Sequence, residues 1–262
     1  MGFMKKLGQH FLKNQSAIDV AIDALKMTDK DRVVEIGPGH GELTVPLLAA
    51  AANYKDVSIL SIEKDHSLIG PLTQLQEKES SGHFEIKEGD ALNILPDLVA
   101  TKIVGNIPYY ITGKLLRTIG ELEHRPKRTV IMIQKEVAER ICATAPEMNR
   151  LAASVQFWAD ASIITHVPRK DFTPPPEVDS AVILLATKQP ASEDKLLYYK
   201  TVRGIFAQPR KNLVNNIFEM RGKELSKEKI FEFLQKIAID PEARPQNLNI
   251  KEIVAISQIF SL

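Results

Sequence analysis

The segment Arg32-Val-Val-Glu-Ile-Gly-Pro-Gly-His-Gly-Glu-Leu constrains the fold more than any other stretch of the chain. Residues 32–36 read as a short apolar strand. Gly37, Gly39 and Gly41 follow at two-residue spacing, and a helical pattern opens at about Glu42. Glycines in that place let backbone approach a ligand closely at a helix N-terminus. A dinucleotide site wants G-x-G-x-x-G. Here the pattern is E-x-G-x-G-x-G, and the carboxylates of Glu35 and Glu42 would repel a pyrophosphate. They suit a cofactor that carries a cationic sulfonium and an ammonium. A tight strand–helix turn with no ligand is the plainer alternative.

The alternation continues along the chain. Strands are expected at 57–62, ending at Glu63, and at 84–87, 102–105 and 129–133. Helical patterns lie between them, at 67–78, around Leu115 and at 136–143. Such spacing argues for a parallel sheet covered on both faces. The pattern then changes. Segments 161–167 and 178–186 are both apolar and β-rich, and only about ten residues part them, too few for a helical crossover. They are expected to pair antiparallel. Between them runs RKDFTPPPE, a loop stiffened by Pro174, Pro175 and Pro176. After Lys188-Gln-Pro190 only helical patterns remain, at 192–206, 210–221, 227–237 and 250–260, punctuated by Gly222, Pro241 and Pro245. The arrangement resembles the Rossmann-like class I methyltransferase fold. It is an α/β chain with a mostly parallel sheet and one antiparallel edge hairpin over residues 1–187, followed by a small helical C-terminal domain over 188–262.

Composition narrows the class. The chain has 262 residues, 44% hydrophobic and 26% charged, which fits a globular core and excludes disordered, collagen-like and disulfide-scaffold proteins. The single cysteine, Cys142, cannot form an intramolecular disulfide and fits a reducing compartment. No apolar run approaches the ~18 residues of a membrane span. The N-terminal lysines precede no apolar signal region, and Lys6 stands where a myristoylation motif wants Ser or Thr. A cytoplasmic chain is expected. The net charge of +1 hides an asymmetry: 13 Lys/Arg stand against 9 Asp/Glu from Lys188 onward, and 21 against 24 before it. Lys5, Lys6 and Lys13 make the N-terminus basic too. Basic ends on an acidic body mark a polyanion-binding edge or, equally, ordinary solvated lysines.

Three strand ends carry candidate chemistry. Glu63 closes the second strand, 22 residues past Gly41, where an acid accepts two ribose hydroxyls. It supports a nucleoside cofactor without naming which. Asp90, in Gly89-Asp90-Ala91, is placed to take an adenine amino group, although Gly-Asp is also a common turn. Asn106-Ile107-Pro108-Tyr109, after the fourth strand, is the sharpest motif. An aryl amine such as adenine N6 is a poor nucleophile because its lone pair is delocalised into the ring. An amide oxygen from Asn106 and the carbonyl of Ile107 or Pro108 would accept both N–H bonds, pyramidalise the nitrogen and aim its lone pair at a methyl group. Tyr109 would stack on the base. Such catalysis is positioning and electrostatics and needs no metal, covalent nucleophile or strong base.

These residues identify the chain as resembling the KsgA-type ribosomal RNA small-subunit adenine dimethyltransferases, from one end to the other. Gly8-Gln9-His10-Phe11-Leu12 is similar to that family's N-terminal motif. The stretch Glu35–Gly41, together with Glu63, Gly89-Asp90-Ala91 and Asn106–Tyr109, is similar to its cofactor and catalytic motifs. Phe172-Thr-Pro-Pro-Pro-Glu-Val-Asp-Ser-Ala-Val resembles its target-base loop. The resemblance implies S-adenosylmethionine as methyl donor. It implies N6,N6-dimethylation of two adjacent adenosines near the 3′ end of 16S rRNA, in the small ribosomal subunit or its precursor, by a monomer. It implies that His10, Leu12, Gly37, Glu63, Asp90 and Asn106 line the cofactor, and that Tyr109 and Phe172 sandwich a flipped adenine. The family usually opens a C-terminal helix with Gln-Arg-Arg-Lys. This chain has Gln208-Pro209-Arg210-Lys211, which removes one phosphate contact and leaves Arg210 and Lys211 as the RNA-binding candidates.

Other residues read as ordinary. Cys142 sits in an apolar helical pattern, and Phe157 and Trp158 read as core. The histidines show no metal-ligand spacing. Arg125, Lys127 and Arg128 suit a phosphate or a solvated turn equally. Three rivals stand beside the main reading: a 23S rRNA adenine methyltransferase of the macrolide-resistance type, a non-catalytic assembly or transcription factor on the same fold, and, more distantly, a nicotinamide dehydrogenase, which Glu42 disfavours.

Overall fold

The computed structural model describes residues 9–79, 82–188, 194–222 and 225–261. Gly8, Lys5, Lys6, Gln189, Pro190 and Ser192 lie outside the described residues. In chain order the elements are β1 (Phe11–Leu12), α1 (Gln15–Leu25), β2 (Arg32–Ile36), α2 (Thr44–Ala51), β3 (Ser58–Glu63), α3 (His66–Lys78), β4 (Phe84–Glu88), α4 (Ala91–Ile94), β5 (Lys102–Asn106) and α5 (Thr112–Glu121). They continue as β6 (Arg128–Gln134), α6 (Lys135–Cys142), α7 (Arg150–Gln156), β7 (Ala159–Val167), β8 (Phe172–Thr173), β9 (Ser180–Thr187), α8 (Lys195–Ile205), α9 (Leu213–Arg221), α10 (Lys227–Lys236) and α11 (Ile250–Ser257).

Two compact units result. One comprises the chain up to Glu139 with Asp160–Thr187, the other Arg140–Ala159 with the chain from Lys188. The expected division put all of 140–159 in the first unit. Tertiary packing groups it with the C-terminal helices, because the apolar faces of Ala152, Ala153 and Phe157 share a core with Tyr198, Val202 and Ile205.

The first unit is built on a seven-stranded sheet in the order β4-β3-β2-β5-β6-β9-β7. The pairs β2–β3, β3–β4, β2–β5 and β5–β6 are parallel. Strand β9 runs antiparallel to β6, from Arg128↔Ala186 to Gln134↔Ser180, with β7 beyond it at the edge. Val33, Val34, Ile103, Val104, Val130 and Ile131 are all buried, as strands covered on both faces require. The chain leaves β2 toward β3 and later returns to pair β5 on the other side of β2. This reversal leaves a crevice at the carboxyl ends of β2 and β5, where open α/β sheets bind ligands.

Two details seat β5 there. A Cβ on Gly105 would lie 2.5 Å from the Ile36 carbonyl oxygen, so only glycine lets β5 pass β2 at this level. At the other end, Lys102 is buried. Its ammonium pairs with Asp31 at 3.2 Å and donates to the carbonyls of Leu25 and Lys26 at 2.9 and 2.8 Å. The cation thereby closes the C-terminus of α1, where carbonyls lack helical partners. A second, two-stranded sheet pairs β1 with β8 antiparallel, Leu12 opposite Phe172.

The second unit is helical. The Tyr198 ring lies parallel to Phe157 with centroids 3.9 Å apart, and its hydroxyl donates to the Ala153 carbonyl at 2.8 Å. Gly204 on α8 leaves no room for a Cβ against Met220 of α9. Trp158 is buried, as expected. The helix expected at 210–221 begins only at Leu213, capped by Asn212, whose side chain accepts the Asn215 N–H. Arg210 and Lys211 therefore lie in the preceding turn, and Pro209 is outside the helix.

Candidate active site

A solvent-open cleft lies at the crevice between β2 and β5. Four segments of the first unit supply its polar groups and backbone floor. They are Gln9–Leu12, the turn Gly37–Gly39 with Glu42, Glu63 at the end of β3, and Val104–Tyr109. Of the residues singled out in the sequence, His10, Leu12, Gly37, Glu63, Asn106, Pro108 and Tyr109 meet here.

The glycine turn is left-handed at each step: Gly37, Gly39 and Gly41 have φ of 70°, 62° and 96°. A Cβ on Gly39 would press to 3.1 Å against the Phe11 ring, and that ring in turn lies against His40 with centroids 4.2 Å apart. Bare backbone thus forms the floor. Glu63 is 5% exposed. One of its oxygens accepts the Gly39 N–H at 3.3 Å and the other the Asp65 N–H at 2.8 Å. Burial pushes its carboxyl above the usual range, against those hydrogen bonds.

Glu35 departs from expectation. It does not line the cleft. It is fully buried beneath the turn, accepting hydroxyl hydrogen bonds from Thr44 at 2.8 Å and Ser61 at 2.5 Å. Burial pushes its carboxyl up to about 7, against those hydrogen bonds and helped by the nearby charges of Glu63 and Glu42. Glu35 braces β2 against α2 and β3, and Glu42 alone of the pair faces a ligand.

Asn106 is held at the focus of the cleft. Its amide nitrogen donates to the His10 carbonyl at 2.8 Å. A carbonyl can only accept, so this bond fixes which end of the amide is nitrogen and turns Oδ1 away as a free acceptor. His10 is fixed in the same manner: its Nδ1–H donates to the Pro174 carbonyl at 2.8 Å. The Pro108 carbonyl accepts the Ile111 N–H at 3.1 Å and keeps a lone pair for a second donor. Tyr109 is half-buried, which raises its hydroxyl pKa, and that hydroxyl shares a 2.7 Å hydrogen bond with Ser180. The His10 ring lies 6.0 Å from the Tyr109 ring at 24°.

Two residues expected at the cleft, Phe172 and Asp90, do not line it. Phe172 is 2% exposed and packs in the core with Leu12 and Val167. Phe172 is not presented to the cleft opposite Tyr109; it pairs with Leu12 across β1 and β8, next to His10. Asp90 has both oxygens engaged, one capping α4 through the Leu92 N–H at 3.0 Å and one paired with Lys64 at 2.9 Å. It stays beside the site, since the Gly89 N–H donates to the Glu63 carbonyl at 2.8 Å. Lys211, in the helical unit, is paired with Glu219 at 2.6 Å, whereas Arg210 is exposed. Four residues were given no individual role by the sequence: Gln9, which donates to Asp65 at 3.1 Å, Phe11 and Gly105, which line the cleft, and Ser180, which bonds the Tyr109 hydroxyl. Only Gly105 carries a local signal, a glycine inside a strand pattern.

A doubly wound sheet, a glycine floor at its switch point and an anchored Asn-Ile-Pro-Tyr turn define a methyltransferase that acts on an amine. The chain belongs to the ribosomal RNA adenine dimethylase family, whose model matches residues 2–261. It is 34% identical to ribosomal RNA small subunit methyltransferase A of Dehalococcoides mccartyi strain 195, over 98% of this chain and 88% of that protein. It is 35% identical to the protein of the same name from Fusobacterium nucleatum, over 98% and 97% of the two chains. Among solved structures, a dimethyladenosine transferase from Plasmodium falciparum superposes with a TM-score of 0.82 at 26% identity, covering 96% of this chain and 98% of that one. The 23S rRNA methyltransferase ErmE shares the fold, with a TM-score of 0.74 at 19% identity over 96% and 100% of the two chains. The protein is an rRNA adenine methyltransferase.

Proposed function

We propose that this enzyme transfers methyl groups from S-adenosylmethionine to N6 of two adjacent adenosines in the 3′-terminal hairpin loop of 16S rRNA, within the small ribosomal subunit or its precursor. The observation that carries the reading is Asn106, whose amide is locked by the His10 carbonyl so that Oδ1 is offered to a donor. The cleft suits the cofactor chemically: Glu42 and Glu63 complement a cationic ligand, Glu63 offers acceptors for ribose hydroxyls, and Gly37–Gly39 present bare backbone. When bound, S-adenosylmethionine supplies the electrophilic methyl group. The chain's own residues do the rest. Asn106 Oδ1 and the carbonyl of Ile107 or Pro108 accept the two N–H bonds of the target amine and free its lone pair, while Tyr109 stacks on the base. Asp90 flanks the nucleoside end, and its carboxylate keeps lone pairs beyond those taken by Lys64 and the Leu92 N–H, with which it accepts an adenine amino group.

Arg210 and Lys211 are assigned to RNA backbone. The enzyme is taken to act as a monomer. No helix among the described residues is long and apolar enough to cross a membrane, which agrees with work on ribosomal subunits in the cytoplasm. The test is transfer of labelled methyl to under-methylated small subunits and, in parallel, to large subunits, followed by mapping of the modified base. Label in two adjacent 16S adenosines is expected. Label in 23S rRNA alone would replace this reading with the macrolide-resistance type.

A further inference from the structure

The turn that carries the catalytic residues continues into a helical stretch without a break, from Tyr109 through a tight turn at 109–111 into α5. Residues three and four apart on such a stretch share a face. Tyr110, Lys114 and Arg117 stand at i, i+4 and i+7, and form one stripe that starts directly beyond Tyr109. Tyr110 is 60% exposed. Lys114 is exposed, and Arg117 is 79% exposed with one donor engaged by Glu121 at 2.9 Å, so most of the guanidinium remains available. Beside the stripe lies the Lys64–Asp90 ion pair, its lysine within electrostatic range of Tyr110 and its carboxylate within range of Lys114. Lone exposed aromatics on a surface need no explanation. This one is the first residue past the catalytic motif, and the next two charges on its face, Lys114 and Arg117, are cationic, with Glu121 pairing Arg117 beyond them.

Two adjacent adenosines are the substrate in the function proposed above, on which this inference rests. When one adenosine occupies the cleft, its neighbour lies at the rim, unstacked on the side from which its partner was withdrawn. We propose that Tyr110 receives the base of that neighbouring nucleotide on its exposed ring, and that Lys114 and Arg117 hold the phosphates that follow. Any base has a π-face, so stacking positions the strand without reading its sequence, and the cations fix its direction. Tyr110 is then a positioning residue, distinct from Tyr109, whose hydroxyl is tied to Ser180.

The experiment is steady-state methylation of under-methylated small subunits by the wild type, Tyr110→Ala, Tyr110→Phe and the pair Lys114→Ala/Arg117→Ala, with cofactor affinity measured by calorimetry. Removing one stacking platform is expected to raise KM for the subunit about five- to 150-fold. Both kcat at saturating subunit and cofactor affinity should stay near wild type. Tyr110→Phe keeps the ring and should behave as wild type. The double variant should flatten the dependence of log affinity on log salt by up to about one unit per charge removed. A wild-type KM in Tyr110→Ala would overturn the inference, as would an equal loss in Tyr110→Phe, which would assign the effect to the hydroxyl. Failure of the wild type to methylate small subunits would overturn the proposed function instead, and the inference with it.

Discussion

Asn106 shows how one hydrogen bond decides the use of a side chain. With its nitrogen on the His10 carbonyl, the amide presents only its oxygen to a substrate, and no reorganisation is needed at the moment of reaction. Asn106→Ala should lower kcat about 10²–10³-fold, the usual loss for one preorganised polar contact, while calorimetry shows a much smaller change in cofactor affinity. Turnover within a few-fold of wild type would contradict the role. Glu35 makes a different prediction. Its carboxyl is raised from the ordinary 4.5 to about 7 in the folded chain, so folding favours its protonated form. Its contribution is complete below pH 4.5 and is lost as pH rises through 7, a change of about 3 kcal/mol at 1.4 kcal/mol per unit. Glu35→Gln keeps the shape and removes the titration. Its stability relative to wild type should therefore rise by up to that amount between pH 5 and pH 8. A difference that does not vary with pH in thermal melts would refute the assignment.

At the scale of elements, legibility followed periodicity. The parallel strands β2, β3, β5 and β6 are apolar runs set between helical patterns, and they lie where those runs predict. The two-residue strands β1 and β8 have no period to read; they exist because Leu12 and Phe172, 160 residues apart in sequence, meet across a shared core. Helix α2 begins at Thr44 rather than Glu42 because the glycine turn extends to residue 43. Lys102 was invisible as a structural residue, since a lysine at a strand start normally faces water. Its burial against Asp31 and the end of α1 ties that helix to β5. Hydrogen bonds from Thr101, Thr28 and Lys102 outweigh burial and hold Asp31 below the usual carboxylate range. Lys102→Ala leaves Asp31 charged, buried and short of its cation, which typically costs about 3–5 kcal/mol. A clear drop in melting temperature is expected, and a drop confined to the experimental error would show that the pair is dispensable.

For the whole molecule, the charge asymmetry is resolved into two units of different composition, and the basic one is helical. Lys211 is already partnered by Glu219, so Arg210 should carry most of the phosphate contact assigned to this turn. The pair Arg210→Ala/Lys211→Ala should weaken subunit binding and lower the salt slope by about one unit rather than two. The modified adenosines and the cofactor affinity should not change. An unaltered slope in titrations at two salt concentrations would leave these charges as solvated surface. The sequence by itself determined the class of fold, the glycine floor and the Asn-Ile-Pro-Tyr turn, because each is encoded within a short window by backbone freedom and side-chain chemistry. Only the tertiary structure decided that Glu35 lies under the floor, that Phe172 serves the core, that Asp90 is held by Lys64 and that 140–159 joins the helical unit. Those outcomes depend on which residues distant in sequence compete for the same buried volume or the same hydrogen bond, and no local window contains both competitors.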